Sequence, residues 1–187
     1  MTISDYSTRP RSAFAPRESR PLGMTGAWGA DDVKRLERMW VRAQSRDWRT
    51  VALVPGDDNT STFEVANLIA RLALTQGESI HVADLRELRL KHVEAFLEGT
   101  RWDASQGDRI IFATGPTSTN IATIPLARAA DCAILCVSLG ATSLGPVREA
   151  VEHIGREHFL GALLVRDLSS APRGSRASRL STAKAHQ

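Results

Sequence analysis

Between residues 50 and 166 the chain alternates short apolar runs with longer stretches that mix apolar and charged positions. The apolar runs predict strands at 50–54, 79–83, 109–113, 132–138 and 160–166. Apolar residues recur at helical spacing over 61–76, 87–98, 119–130 and 143–157. Several runs are almost continuously apolar, as in CAILCVS and LGALLVR, which is typical of strands buried on both faces of a parallel sheet. The pattern predicts an α/β fold: a doubly wound, mainly parallel sheet with flanking helices and right-handed crossovers.

The flanking segments set the domain boundaries. Residues 1–30 are rich in Pro, Ser, Arg and Gly without periodicity, which predicts a flexible segment. The α/β domain then covers 31–167, and residues 168–187 form a basic, low-complexity stretch predicted to be disordered. The domain opens with an amphipathic helix carrying Trp40. Trp40 is a candidate interface anchor, and packing on the domain's own sheet is the alternative.

Composition and charge exclude several classes of protein. With 42% hydrophobic and 24% charged residues, the chain is typical of one soluble globular domain. The net charge of +3 comes from the terminal segments, and the middle is about −3, which argues against a nucleic-acid-binding core. We find no apolar run of about 20 residues and no secretory h-region, so we expect a cytoplasmic protein. Cys132 and Cys136 are expected to be buried thiols.

The loop after the first strand, PGDDNTST, has the layout of an anion-binding site at the start of a helix. Ser61 and Glu64 fit a capping box. Asp57 and Asp58 allow two interpretations. They are either turn-forming residues or charges that repel a phosphate, at roughly 3 kcal/mol per carboxylate about 5 Å away in an effective dielectric of about 20.

Taken in order, these motifs resemble the P-loop NTPase-type domain of bacterial polysaccharide-synthesis tyrosine kinases, which are relatives of deviant-Walker partition and cell-division ATPases. In that family the loop reads roughly Pro-Gly-Glu-Gly-Lys-Ser-Thr-Thr. Here Pro55 and Gly56 are kept, but Asn59 or Thr60 stands where the Lys belongs. The candidate vestigial phosphate loop comprises Gly56, Asp57, Asp58, Asn59, Thr60, Ser61 and Thr62.

The later motifs of the family are altered in the same way. The second motif keeps Asp84 and Arg86 but has Val82 at its first Asp. The third keeps Thr114 and has Ala113 at the Asp that lies near Mg²⁺. At the end of the last strand, Arg166 replaces an Asn that contacts adenine in the family. The tyrosine-rich tail of the family is also missing.

The resemblance implies ATP and Mg²⁺ as cofactors, but the altered motifs predict that this chain has no catalytic residue, no cofactor and no metal. We expect a catalytically degenerate domain that acts as a regulatory or scaffolding partner in exopolysaccharide or capsule synthesis and export. The implied partners are a membrane polysaccharide copolymerase or chain-length protein, a homologous kinase domain, or a second copy in a homo-oligomer, and not nucleic acid. The basic terminal segments would allow peripheral association with the inner face of the cell membrane.

Two other functions stay open at this stage. One is an active enzyme, either an atypical tyrosine-kinase-like protein or a partition-type ATPase that uses ATP and Mg²⁺ with an altered loop. The other is a partition or localisation adaptor unrelated to polysaccharide. Binding of ATP separates the first from a degenerate domain, and the identity of the partner separates the second.

Overall fold

The computed structural model describes residues 30–105, 109–140 and 142–166. The segment predicted to be flexible, apart from residue 30, and the predicted disordered tail at 168–187 lie outside these ranges. Among the described helices, none has the length and apolar character needed to cross a membrane.

Five helices and five strands alternate along the described chain. In order they are α1 (Ala30–Gln44), β1 (Thr50–Pro55), α2 (Thr62–Thr75), β2 (Ile80–Leu85), α3 (Val93–Ser105), β3 (Arg109–Thr114), α4 (Thr123–Ala129), β4 (Cys132–Leu139), α5 (Leu144–Ile154) and β5 (Phe159–Arg166). Every predicted strand and helix is present. The largest differences are at the two ends of α3, which the sequence pattern predicts over 87–98, and a smaller one is at the start of α4. Residues before α4 form turns, with the backbone N–H groups of Thr119 and Asn120 donating to the carbonyl of Pro116.

All five strands run parallel, in the order β2-β3-β1-β4-β5. The central strand β1 pairs with β3 on one side and β4 on the other, so that Leu53 lies between Ala113 and Ile134. The chain fills the sheet first on one side of β1 and then on the other. In doubly wound folds, such a reversal at the carboxyl end of the central strand marks the place where ligands bind. The predicted α/β fold class is confirmed.

A hydrophobic core lies on each face of the sheet. On one face, α1 and α2 cover the strands, and Trp40 meets Trp48 edge to face with ring centroids 6.0 Å apart. On the other face, α3, α4 and α5 pack around Phe112. Trp40 is 0% exposed, and its indole N–H donates to Gln76 Oε1 at 3.0 Å. Trp40 therefore packs on the domain's own sheet, and the hypothesis that it anchors an interface does not fit this burial.

The two cysteines lie in β4, and both are free and buried, as expected from the sequence. Burial raises the pKa of the Cys132 thiol to about 11, with the negative charge of Asp131 acting in the same direction. Burial alone raises the pKa of the Cys136 thiol to about 12. Both side chains are therefore structural, because the reactive form of a cysteine is the thiolate.

Candidate functional site

The three motifs singled out in the sequence meet at the carboxyl edge of the sheet. The loop after β1, Asp84 at the end of β2 and Thr114 at the end of β3 lie on neighbouring strands. Two contacts join them directly. The Thr62 hydroxyl donates to the carbonyl of Thr114 at 2.7 Å, and the Arg86 guanidinium lies 5.1 Å from the ring centroid of Phe63 in the first turn of α2.

The carboxylate of Asp57 folds back into its own loop. Its Oδ1 accepts from the backbone N–H groups of Asn59 at 2.8 Å and Thr60 at 2.9 Å, and from the Thr60 hydroxyl at 3.0 Å. Its Oδ2 accepts from the hydroxyl of Thr142. Backbone N–H groups of such loops are the donors that cradle phosphates in nucleotide-binding P-loops. In this chain, a carboxylate of the loop itself takes two of them.

Of the two interpretations of the loop acids, the structure supports the turn-forming one for Asp57. Its bonds to residues two and three positions ahead are those of an Asx turn. Asp58 is exposed, beside it in the turn. The negative charge remains in the loop in either case, because both carboxyl groups are present.

Thr142, in the loop after β4, is the partner that sequence reasoning missed. Its hydroxyl accepts from the N–H of Ser138 at 2.9 Å and donates to Asp57. Gly56 is fixed beside it, since its N–H donates to the carbonyl of Cys136 at 2.7 Å. Because β1 and β4 are parallel neighbours, the loops that follow them lie at the same edge of the sheet. A correct prediction of that strand order would have placed Thr142 near the loop after β1.

Gly56 has no room for a side chain. A Cβ atom at this position would lie 3.0 Å from a methyl group of Val147 and 3.1 Å from that of Thr142. Close packing against α5 and the loop after β4 therefore explains the glycine at position 56.

Ser61 corrects one prediction. It stands at the start of α2, but its side chain makes no capping hydrogen bond, so the capping box with Glu64 is not formed. The helix begins through backbone bonding, with the Val65 N–H donating to the Ser61 carbonyl at 3.3 Å. The carboxylate of Asp57 fixes the turn before Ser61, which leaves the loop ordered without that hydroxyl.

The other hydroxyl groups of the motifs are buried. Thr62 and Thr114 are both 0% exposed, and the Thr114 hydroxyl donates to the carbonyl of Leu53 at 2.8 Å. The Thr123 hydroxyl likewise donates to the carbonyl of Gly115 at 2.8 Å. These threonines tie the ends of β1 and β3 to α2 and α4, and they hold the shape of the edge.

Asp84 and Arg86 form a two-point ion pair at the end of β2. Nε and one terminal nitrogen of Arg86 each lie 2.8 Å from a carboxylate oxygen of Asp84. The hydrogen bond from Arg86 holds the pKa of Asp84 below its ordinary value, and Asp84 in turn raises the pKa of Arg86.

The residues at this edge do not fit the Mg²⁺ that the family would bind. Ala113 is fully buried in β3 and offers only a methyl group, and Val82 in β2 offers only an apolar side chain. Within the described ranges, no group of three or more His, Cys, Asp or Glu residues could hold a metal ion. The lysines of these ranges, Lys34 and Lys91, are exposed on α1 and before α3, outside the loop.

Comparison with known proteins identifies the fold. No protein-family model matches the sequence, and no curated protein matches it. Among solved structures, the kinase domain of Escherichia coli tyrosine kinase ETK matches with a TM-score of 0.58 at 11% identity, covering 83% of this chain and 80% of that one. The BceF tyrosine kinase domain matches with a TM-score of 0.54 at 11% identity, covering 69% and 73%. The chain has the fold of a bacterial tyrosine kinase domain.

The kinase-like fold confirms the structural part of the resemblance drawn from the motifs. At 11% identity the likeness shows the fold alone, so the chemistry has to be argued from the residues of this chain. Those residues place a carboxylate, and not a lysine, at the centre of the loop that follows β1.

Proposed function

We propose that this kinase-like domain is catalytically degenerate and acts as a regulatory or scaffolding partner in bacterial exopolysaccharide synthesis and export. The observation that carries the proposal is the loop after β1. It contains no lysine, and two of its N–H groups are bonded to its own Asp57.

Electrostatics disfavours a bound nucleotide. Phosphoryl transfer depends on a lysine and on metal ions that meet the phosphate charges. Here each carboxylate about 5 Å from a phosphate would cost roughly 3 kcal/mol at an effective dielectric of about 20. The amino end of α2 would stabilise a bound phosphate by about 0.3–1 kcal/mol, or by up to about 2 kcal/mol in a partly buried geometry. A phosphate would also have to displace Asp57 from its bonds.

The fold of the domain does not depend on a bound nucleotide. The two hydrophobic cores and the buried threonines hold the sheet without help from a ligand. A domain of this kind keeps its surfaces and can dock to another protein. The resemblance points to a membrane polysaccharide copolymerase or a homologous kinase domain, at the inner face of the cell membrane.

Calorimetric titration with ATP and Mg²⁺ tests the degenerate site. We expect no binding in the micromolar range. The matched variant carries Asp58→Gly with Asn59→Lys, so that its loop reads Pro-Gly-Asp-Gly-Lys. That variant restores the glycine and the cation, and any gain in affinity would show that these two positions limit binding. Micromolar binding by the unaltered chain would reject the proposal and favour the active enzyme.

The polysaccharide role needs a separate test. Affinity purification after crosslinking in the native host should recover a membrane protein of polysaccharide assembly, and neighbouring genes should encode glycosyltransferases and an export protein. Recovery of a partition or localisation apparatus without such a protein would favour the adaptor alternative.

A further inference from the structure

The two edge strands of the sheet differ in how they are protected from pairing with another strand. Edge strands present unpaired N–H and C=O groups, and proteins guard them with charged residues. Strand β2 carries His81 and the ion-paired Asp84, both exposed. Strand β5 is eight residues long, and its first seven residues, FLGALLV, contain no charge.

Within the described ranges, no strand pairs with the outer side of β5. Among the described residues, β5 pairs only with β4. A Cβ atom built at Gly161 would have no atom within 4 Å, Ala162 is exposed, and Leu164 is 42% exposed. Helix α1 covers one face of the strand through a buried cluster that includes Leu163 and Val165.

On the face of β5 that α1 does not cover, exposed leucines lie close to the strand edge. Leu164 is registered beside Val137 of β4, and Leu139 lies two residues further along the same face. Leu139 is 42% exposed, and Leu144 at the start of α5 is 83% exposed. An uncharged strand edge therefore borders exposed leucines at one corner of the domain.

We propose that β5 is a homodimer interface, in which the β5 strands of two copies pair antiparallel about a two-fold axis. The paired strands would join two five-stranded sheets into one. The proposal does not rest on the proposed function, since it uses no residue of the loop after β1.

A second copy suits this edge better than the flanking segments of the chain. Antiparallel pairing about a two-fold axis gives each copy the same complementary row of donors and acceptors. Because residues 159–165 carry no charge, no like charges face each other. Of the residues that favour strands, 167–187 contain only Thr182 and no Val, Ile, Phe, Tyr or Trp. Residues 10–29 are interrupted by three prolines and three glycines, and residues 1–9 contain the charged Asp5 and Arg9. Pro, Gly and Asp disfavour strands.

Light scattering of the full chain after gel filtration is the first test. At tens of micromolar we expect a species of twice the 20.4 kDa chain mass. The variant Leu164→Lys introduces one positive charge on each strand of the paired edge, and like charges across an interface cost several kcal/mol. We expect it to raise the dissociation constant at least tenfold. The control is Leu74→Lys, on α2, where the leucine is 68% exposed and no change is expected.

Hydrogen–deuterium exchange of the unaltered chain keeps the test independent of any variant's folding. Amides of β5 should become more protected as the protein concentration rises, while those of β2 stay constant. A monomer at all concentrations, or a dimer that Leu164→Lys leaves intact, would overturn the proposal. Protection of β5 that does not depend on concentration would overturn it too, because another part of the chain would then cover the strand.

Discussion

The carboxyl edge of the sheet contains two groups of polar residues that differ in burial. The threonines at 62, 114 and 123 are fully buried, and each donates to a backbone carbonyl. The turn at 57–59 lies at the surface, with Asp58 and Asn59 exposed. The turn and Thr62 belong to the loop motif of the family that the sequence resembles, and Thr114 belongs to its third motif.

The difference teaches which part of a site can change without loss of the fold. The buried hydroxyls join β1 and β3 to the helices that follow them, so their replacement would disturb the sheet. The turn can exchange the lysine for Asn59 or Thr60 and the second glycine for an acid, because Asp57 satisfies the N–H groups that a ligand would otherwise meet. Because the buried threonines and the surface turn are separate, the loop can keep its shape after losing the lysine and gaining negative charge.

The largest effect is expected from Thr62→Val. The substitution keeps the shape of the side chain and removes its hydroxyl, which leaves the buried carbonyl of Thr114 without this donor. An unsatisfied buried group costs about 1–3 kcal/mol. Urea unfolding should show that loss in the free energy of unfolding.

Thr75→Val is the matched control. Its hydroxyl also donates to a carbonyl, that of Leu72 at 2.6 Å, but the residue is exposed at the end of α2. Surface substitutions of this kind change stability by about 0.5 kcal/mol or less. Equal losses in the two variants would contradict the distinction between buried and surface hydroxyls.

A smaller effect is expected from Asp57→Ala. The variant loses the bonds that close the turn, and loss of a side chain that caps free N–H groups costs about 0.5–2 kcal/mol. The freed amides of Asn59 and Thr60 are then open to an external anion. Thermal unfolding should show that inorganic phosphate raises the Tm of the variant more than that of the unaltered chain.

The neighbouring substitution Asp58→Ala separates the role of Asp57 from that of loop charge. It removes one negative charge and leaves the Asp57 bonds in place. We expect little change in stability and a smaller response to phosphate than Asp57→Ala gives, because Asp57 still occupies the N–H groups. A response as large as that of Asp57→Ala would mean that repulsion, and not occupation of the N–H groups, keeps anions out.

The fold could be predicted because its signal is spread over many residues. Apolar runs such as CAILCVS show strands, and the alternation of strands with helices leaves few topologies. The same alternation places the loop after β1 at the carboxyl edge of the sheet, because parallel strands all end at that edge. The boundaries of α4 were harder to predict, because the hydroxyl-rich TGPTSTN forms turns through Pro116 before the helix begins.

The details of the site depend on contacts between residues distant in sequence, which no local pattern contains. Thr142 is 85 residues from Asp57 along the chain and bonds to it across two strand ends. The sequence pattern places Trp40 on a helix. Its burial, however, depends on packing against distant residues, including those of β5, which the local pattern does not contain.

The smallest effect is expected from the ion pair at the end of β2, which tests whether the exposed part of this edge contributes to stability. Asp84 and Arg86 are 41% and 42% exposed, so solvent screening limits the pair to about 0.5 kcal/mol. Because Arg86 lowers the pKa of Asp84 below its ordinary 3.8, the contribution is complete above that value and is lost as the pH falls through the lower, folded-state pKa. Asp84→Asn should therefore be slightly less stable than the unaltered chain at neutral pH, and the gap in urea unfolding should close below about pH 4. A gap that stays constant down to pH 3 would show that the Asn substitution acts through packing and not through the charge.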